Sequence, residues 1–316
     1  MLNPEYAIIV KSCTRLERLL QRCSTRRMAR FQVESQGGYF ADYQDEHEIY
    51  TESLAAVQKG LSKLLRNKTV ERDFVPSFIF KGQIPLVIVL GQDGLVANTA
   101  KYVDKIPILA VNPEPERYDG VLLPFNVTNF MEGVEGVLSE RYAAKTVFMA
   151  EAKLRDGQRL LAFNDLFIGA ASHVSARYRI QYKNASEEQS SSGIIVSTKS
   201  GSTGWLTSVL NMSAGLQRIL NRKPKKGGTP AISASMELAE EELFFAVREP
   251  FKSRRTGIEL VGGLIDGKAK LHIESFMPTG GVIFSDGIES DFLQFTSGNI
   301  VTIGLAAETA TLVQRS

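Results

Sequence analysis

The sequence predicts an α/β N-terminal domain with a parallel sheet, followed by a β-rich C-terminal domain. At 316 residues the chain is long for a single hydrophobic core. In the first half, short apolar runs alternate with stretches of helical periodicity, which is typical of βαβ units. Later in the chain, short β-like runs are separated by Gly-containing turn signals. We therefore predict domains at residues 1–144 and 145–316, and leave open whether the last residues return to the first domain.

The first domain opens with a predicted buried strand at residues 6–11. Thr14 to Glu17 has the spacing of a capping box, which predicts the start of a helix. The polar stretch at 34–45 contains paired glycines and predicts a loop. Apolar residues at helical spacing then predict a helix over 47–66.

The centre of this domain is predicted from a short, wholly apolar run, Pro85 to Leu90. Such a run is typical of a central parallel strand that is buried on both faces. A helix is predicted over 94–104 and the next strand over 107–111.

The second domain is predicted to be all-β apart from one helix over 202–220. Asp156-Gly157 is a hairpin signal, and residues 177–182 alternate between polar and apolar in the manner of a half-buried strand. Two polar segments, 186–193 and 221–228, predict exposed loops.

Composition narrows the class of protein. The 37 basic residues nearly balance the 35 acidic residues, which gives no reason to expect a nucleic-acid or membrane surface. The first ten residues lack the basic start and long apolar stretch of a signal peptide, so we expect a cytoplasmic protein. The two cysteines and three histidines show no ligand spacing, so we predict no metal site.

The strongest local signal is Gly91-Gln92-Asp93-Gly94, directly after the central apolar run. A Gly-rich turn between a strand and a helix presents backbone N–H groups to phosphate. A carboxylate in that turn repels an anion, so Asp93 is better suited to act as a general base or through a bound metal. The alternative is a tight turn in which Asp93 only caps the helix.

Two further segments carry polar groups in apolar surroundings. Residues 197–205 (STKSGSTGW) hold five hydroxyl side chains around two glycines before a helix, which favours a phosphate- or ribose-binding turn over a simple cap. Asn164 and Asp165 interrupt an apolar run, where a buried polar side chain needs a partner. The alternative for this pair is a hairpin turn.

The order GQDG, FND, STKSGSTGW and FSDG resembles the NAD kinase family, which carries GGDG, an NE or ND pair, TPTGSTAY and a late DG. The resemblance extends over nearly the whole chain. Residues 108–117 (ILAVNPEPER) and Arg248-Glu249-Pro250 are closest to the mitochondrial-type branch. Because no transit peptide is recognisable, we expect a bacterial or other non-organellar relative.

The resemblance implies ATP-dependent phosphorylation of NAD at the adenosine 2′-hydroxyl, with a divalent metal such as Mg²⁺ accompanying the nucleotide. It implies that Asp93 is the general base, that the remaining GQDG residues bind the phosphates of ATP, and that five later residues bind NAD. It also implies a homo-oligomer. The implied ATP-binding residues are Gly91, Gln92 and Gly94, and the implied NAD-binding residues are Asn164, Asp165, Ser200, Thr203 and Trp205.

Two residues depart from the family's pattern. Gln92 stands where the family has a second Gly, and Leu95 where it has Thr. If residue 92 required a positive φ, its side chain would obstruct ATP, whereas a negative φ would let the amide point outward. The alternatives are therefore a non-catalytic dinucleotide-binding relative, or a kinase for another alcohol such as a sugar or lipid. NAD against NADH, and ATP against polyphosphate, stay open.

Overall fold

A computed structural model describes residues 6–72, 86–220 and 236–315. The predicted loop at 221–228 lies outside these ranges. The chain divides into two compact units, one comprising Met1–Thr146 with Ala310–Ser316, the other Val147–Thr309. None of the described helices is both long enough and apolar enough to cross a membrane.

The first unit is built on a parallel sheet. Its strands are β1 (Tyr6–Lys11), β2 (Arg66–Glu71), β3 (Leu86–Leu90), β4 (Pro107–Asn112) and the short β5 (Phe125–Asn126). The order is β2-β1-β3-β4, with β5 also beside β4, and every pairing is parallel. The end of the chain returns to this unit, since Thr311 and Leu312 pair in parallel with Pro107 and Ile108. All of β3 and β4 is buried, as their apolar sequences predict.

Within the described residues, five helices accompany this sheet. They are α1 (Arg15–Arg22), α2 (Arg26–Ser35), α3 (Phe40–Leu61), α4 (Asp93–Val103) and α5 (Phe130–Leu138). The predicted capping box is present at the start of α1, where Thr14 and Glu17 each accept a hydrogen bond from the other's backbone N–H. The loop predicted over 34–45 is wrong, because α2 continues to Ser35 and α3 begins at Phe40. Phe40 packs with Leu16 and Val33, so tertiary contacts favour helix in this polar stretch.

The second unit contains two sheets and one long helix. Its strands are β6 (Ala143–Leu154), β7 (Arg159–Ala162), β8 (Asp165–Ala170), β9 (Ala176–Tyr182), β10 (Ala185–Ser191), β11 (Ile194–Ser197), β12 (Leu243–Val247), β13 (Gly262–Ile265), β14 (Leu271–Ser275), β15 (Gly281–Ser285), β16 (Ile288–Gln294) and β17 (Ile300–Gln314), and its helix is α6 (Thr207–Leu220). One sheet has the antiparallel order β13-β12-β11-β8-β15-β16. The other contains β10-β9-β14-β17, with β6 joining β17 to β7. Side chains from both sheets form one core.

The loop predicted over residues 186–193 is also wrong. Residues 185–191 form β10, which pairs with β9 along its whole length. Gln189 and Ser191 are almost fully buried in this strand. Both side chains are satisfied by the buried hydroxyl of Tyr178, at 3.0 Å from Gln189 Oε1 and 2.7 Å from Ser191 Oγ. Buried polar groups need hydrogen-bond partners, and here Tyr178 provides one for each side chain. Part of the polar composition of β10 therefore reflects a buried hydrogen-bond network.

Tyr178→Phe should destabilise the protein by about 1–3 kcal/mol, because it leaves Gln189 and Ser191 buried with one fewer hydrogen-bond partner. Urea unfolding followed by circular dichroism measures the effect. Tyr39→Phe is the control, since Tyr39 is 77% exposed. Equal midpoints for both variants would contradict this role of Tyr178.

Candidate functional site

The GQDG loop joins β3 to α4 in the first unit. Gln92 is the N-cap residue of α4, with φ −106° and ψ 169°, and it is exposed. An L-residue adopts this extended conformation without strain. The obstruction expected from a positive φ at residue 92 is therefore absent. The first N–H groups of an α-helix lack intrahelical acceptors, and Gln92 makes no side-chain cap on them.

Asp93 is the first residue of α4, and its carboxylate is held by backbone. Oδ1 accepts the N–H of Leu122 at 2.9 Å and Oδ2 accepts the N–H of Val121 at 3.1 Å. A carboxylate oxygen has two acceptor positions, so each oxygen can still accept one more hydrogen bond. The predicted base is thus a half-buried carboxylate with a fixed orientation, rather than a mobile surface acid.

The two glycines of this loop have different surroundings. Gly91 is buried, its N–H donates to the Val111 carbonyl at 3.2 Å, and a Cβ here would lie 2.8 Å from Leu95 Cδ2. Gly91 therefore packs closely against the Leu95 side chain, and its N–H is already used. Gly94 is exposed, and a Cβ there would meet no atom of the described chain within 4 Å. Of the two, Gly94 is the one open to a ligand.

Asn164 lies in the second unit, in a sharp turn between β7 and β8 that brings two of the predicted motifs together. Thr198 donates its hydroxyl to the Phe163 carbonyl at 2.6 Å and its N–H to the Asn164 carbonyl at 2.9 Å. A Cβ at Gly201 would lie 2.3 Å from the Asn164 carbonyl oxygen. The absence of a side chain at residue 201 therefore lets the two segments touch through their backbones.

Asp165 is half-buried, and its carboxyl group is incompletely paired. Among the described residues, its Oδ1 atom is the one buried side-chain oxygen or nitrogen without a hydrogen-bond partner. Removal from water raises the pKa of Asp165 to about 7, the nearby charge of Asp286 adds to the rise, and the Ser197 hydroxyl opposes it. A buried oxygen of this kind is suited to a hydroxyl or amide of a ligand.

In the hydroxyl-rich segment 197–205, some side chains hold the backbone and others are at least partly exposed. Thr198 holds the Phe163–Asn164 turn, and the hydroxyl of Ser202 donates to the Lys199 carbonyl at 2.8 Å. The residue at the cap position of the following turn, Ser202–Leu206, is Gly201, so the capping alternative for these serines is not observed. Two predicted binding residues, Ser200 and Thr203, are half-buried and exposed respectively.

Trp205 has protein partners for its ring. It stacks on Phe167 with ring centroids 5.8 Å apart, and the Arg248 guanidinium lies 5.3 Å from its centroid. Phe167 also contacts Phe284, with ring centroids 4.8 Å apart. Trp205 is therefore one side of an apolar cluster, and only part of its ring surface is available to a ligand.

The sequence motifs did not reveal the role of Asp286. The FSDG segment marks a turn, and its carboxylate accepts backbone N–H groups from Phe163, Asn164 and Asp165. The three motifs FND, STKSG and FSDG thus form one hydrogen-bonded cluster in the second unit. Asp-Gly between two strands was the signal that could have suggested a turn, but not its long-range contacts.

The predicted site residues belong to different units. Gly91, Gln92, Asp93 and Gly94 lie in the first, whereas Asn164, Asp165, Ser200, Thr203 and Trp205 lie in the second. Within the described ranges, no three His, Cys, Asp or Glu side chains converge to form a metal site.

The chain is similar in sequence to curated NAD kinases over part of its length. An NAD kinase of Clostridium kluyveri is 27% identical over 165 residues, covering 50% of this chain and 55% of that protein. An NAD kinase of Heliobacterium modesticaldum is 30% identical over 132 residues, covering 39% and 45%. The matches thus span about half the length of these relatives. No family model matches the chain.

Solved structures match over almost the whole chain. Yeast NADH kinase complexed with NADH has a TM-score of 0.58 at 12% identity, covering 99% of this chain and 84% of that one. An NAD kinase from Archaeoglobus fulgidus in complex with ATP has a TM-score of 0.56 at 14% identity, covering 98% and 93%. The predicted resemblance to the NAD kinase family is confirmed. The two-domain NAD kinase fold is confirmed as well, while the mitochondrial-type branch is not.

The pKa of Asp165 predicts a pH effect on stability. The value of about 7 in the folded protein lies above the ordinary 3.8, so folding favours the protonated form. The contribution of Asp165 to the free energy of unfolding is therefore most favourable below the ordinary pKa of 3.8 and falls as the pH rises towards 7. Asp165→Asn removes this fall, so its stability relative to the parent should rise between about pH 4.5 and about pH 8, by at most a few kcal/mol.

Urea unfolding of both proteins at the two pH values measures this difference. Asp156→Asn is the control, because hydrogen bonds from the backbone and side chain of Gln158 lower the pKa of that exposed carboxylate. A pH-independent difference between Asp165→Asn and the parent would show that Asp165 is ionised throughout.

Proposed function

We propose that this protein phosphorylates NAD at the adenosine 2′-hydroxyl, with ATP as the phosphoryl donor and Asp93 as the general base. The observation that carries the proposal is the buried, unpartnered oxygen of Asp165 within the FND–STKSG–FSDG cluster. Ribose hydroxyls can donate to such an oxygen, and the NAD kinases of similar sequence supply the expectation of a dinucleotide. Asn164, Ser200, Thr203 and Trp205 complete the proposed NAD site.

The phosphoryl donor is assigned to the start of α4. Backbone N–H groups at a helix N-terminus favour anions, and the side chain of Gln92 adds an amide that can donate to a phosphate oxygen. Gly94 leaves the approach open, whereas Gly91 contributes by packing. The related Archaeoglobus fulgidus NAD kinase was solved with ATP, which supports ATP over polyphosphate.

Asp93 is suited to proton transfer by its fixed orientation. In phosphoryl transfer, the protein mainly positions the groups, stabilises charge and supplies a base for the attacking hydroxyl. Val121 and Leu122 hold the carboxylate through one hydrogen bond to each oxygen. The remaining acceptor position on either oxygen can take the proton of the 2′-hydroxyl.

Mg²⁺ enters this scheme with the nucleotide. The described residues offer no cluster of three or more ligating His, Cys, Asp or Glu side chains. Mg²⁺ commonly binds substrate phosphates, water and few protein carboxylates, so ATP itself would carry the ion. A homo-oligomeric state and a cytoplasmic location stay predictions.

A non-catalytic dinucleotide-binding protein is the second candidate, and Gln92 and Leu95 are the reason to consider it. Their structural settings favour an active kinase. Gln92 has an unstrained negative φ, and Leu95 is buried beneath Gly91. A kinase for a lipid or sugar is less well supported, because the relatives of similar sequence are NAD kinases.

Asp93→Asn should lower turnover by about 10²–10⁴-fold, because the amide is not basic and keeps only one of the two acceptor oxygens that bind Val121 and Leu122. NAD affinity should be nearly unchanged, because Asp93 lies outside the FND–STKSG–FSDG cluster. A coupled assay of NADP formation from NAD, ATP and Mg²⁺ measures turnover, and calorimetry measures binding. Asp104→Asn is the matched control, because it makes the same change from carboxylate to amide at the other end of α4. Equal turnover in Asp93→Asn and parent would rule out Asp93 as the base.

Gln92→Gly should change the apparent Michaelis constant for ATP more than that for NAD, because Gln92 lies at the start of α4 and outside the FND–STKSG–FSDG cluster. The same coupled assay, with each substrate varied in turn, gives both constants. An inactive parent with an active Gln92→Gly variant would favour the non-catalytic candidate. Inactivity of both proteins would point to Leu95 or to a different substrate.

A further inference from the structure

Asp286 occupies a turn whose shape does not depend on its long-range contacts. Asp286 and Gly287 form the two-residue connection between β15 and β16. Their φ angles are 53° and 70°, and a type I′ hairpin turn needs positive φ at both central residues. Asn and Gly satisfy this requirement as well as Asp does. Local turn geometry therefore leaves the choice of a carboxylate unexplained.

The carboxylate of Asp286 gathers three successive backbone N–H groups. Oδ1 accepts those of Asn164 at 2.6 Å and Asp165 at 3.3 Å, and Oδ2 accepts that of Phe163 at 3.1 Å. The N–H of Asp286 donates in return to the Asp165 carbonyl at 2.9 Å. A neutral side chain has too few acceptor positions in this geometry to replace both oxygens.

The backbone N–H and carbonyl groups of this turn are hydrogen-bonded within the protein, so its side chains are the groups that remain for a ligand. Asp286 holds the N–H groups of residues 163–165, and Thr198 holds the carbonyls of Phe163 and Asn164. What the turn can offer a ligand is therefore the Asn164 amide and the Asp165 carboxyl. Loss of Asp286 would free three donors and allow these side chains to move.

The arrangement also brings two carboxyl groups together. Asp286 disfavours ionisation of Asp165, and such a like-charge contact is a cost that an uncharged residue at 286 would avoid. The hydrogen bonds to residues 163–165 offset this cost and fix the turn that carries Asn164 and Asp165.

We propose that Asp286 is a positioning residue of the dinucleotide site, which acts through the backbone of residues 163–165 to orient Asn164 and Asp165. This inference rests on the proposed function, because it assumes that these two side chains contact NAD. Asp286 itself need not touch the ligand.

The test compares Asp286→Gly, Asp286→Asn and Asp266→Gly with the parent. Gly and Asn both tolerate the positive φ at 286, so the turn is preserved. Asp266 is the matched control, since its Oδ1 also accepts two backbone N–H groups, from Lys268 at 2.8 Å and Ala269 at 2.7 Å, in an exposed turn. Circular dichroism checks folding, calorimetry gives NAD affinity, and the coupled assay gives both Michaelis constants.

Asp286→Gly should weaken NAD binding by about 10–100-fold, a range taken by analogy from residues that orient the ligands of metal ions. The Michaelis constant for ATP should change little. Asp286→Asn keeps one acceptor oxygen and should lose less affinity, and Asp266→Gly should bind NAD as the parent does. A role in stability alone would lower the melting temperature without this separation of the two constants.

Two results would overturn the inference. One is NAD affinity in Asp286→Gly within roughly two-fold of the parent, well below the range for orienting residues. The other is an equal loss in Asp266→Gly. If Asp286→Gly does not fold, Asp286→Asn decides in the same way. Failure of the parent to bind NAD at all would instead reject the proposed function, so the two failures are distinguishable.

Discussion

The candidate site depends on backbone N–H groups that are bound by aspartate carboxylates. A loop cannot satisfy its own backbone groups as a helix or sheet does, so its N–H donors bind water or side-chain acceptors. In the first unit, Asp93 accepts the N–H groups of Val121 and Leu122. In the second, Asp286 accepts those of residues 163–165. Each carboxylate joins segments that are distant in sequence, and each thereby fixes a motif.

The glycines of these motifs have different surroundings. Gly201 brings its backbone against Asn164, and Gly91 makes room for Leu95. Gly94 has no such neighbour. A Gly-rich motif can therefore combine packing glycines with glycines that have open space around them, and only the surroundings of each glycine distinguish them.

Much of the fold could be predicted from local sequence. The capping box at Thr14, the apolar run of β3 and the Asp156-Gly157 hairpin each depend on neighbouring residues, and all three are present. The two segments wrongly predicted as loops, 34–45 and 186–193, depend instead on contacts with distant residues. Residues 34–45 are largely helical because Phe40 packs against α1 and α2. Residues 185–191 form a strand paired with β9, and Tyr178 provides a hydrogen-bond partner for the buried Gln189 and Ser191.

The candidate site was predictable to a similar degree. Its motifs were visible because polar residues and glycines interrupted apolar runs. The role of Asp286 was not visible, since its partners lie more than 120 residues away in the chain. The same holds for Trp205, whose ring partners Phe167 and Arg248 lie on other segments. Contacts that only the tertiary fold creates cannot be read from spacing along one sequence.

The departures at Gln92 and Leu95 are physically compatible with a phosphate-binding loop. Gln92 is in the extended region, so the second glycine of the family's motif is not needed here for backbone conformation. The Leu95 side chain is buried and packs against Gly91, so it belongs to the hydrophobic core. The hydroxyl lost at 95 and the amide gained at 92 lie in the same helix terminus. Compared with the family's pattern, the third residue of α4 lacks a polar side chain and the N-cap residue carries one. The Gln92 side chain at the N-cap is exposed, so its amide can donate to a phosphate oxygen.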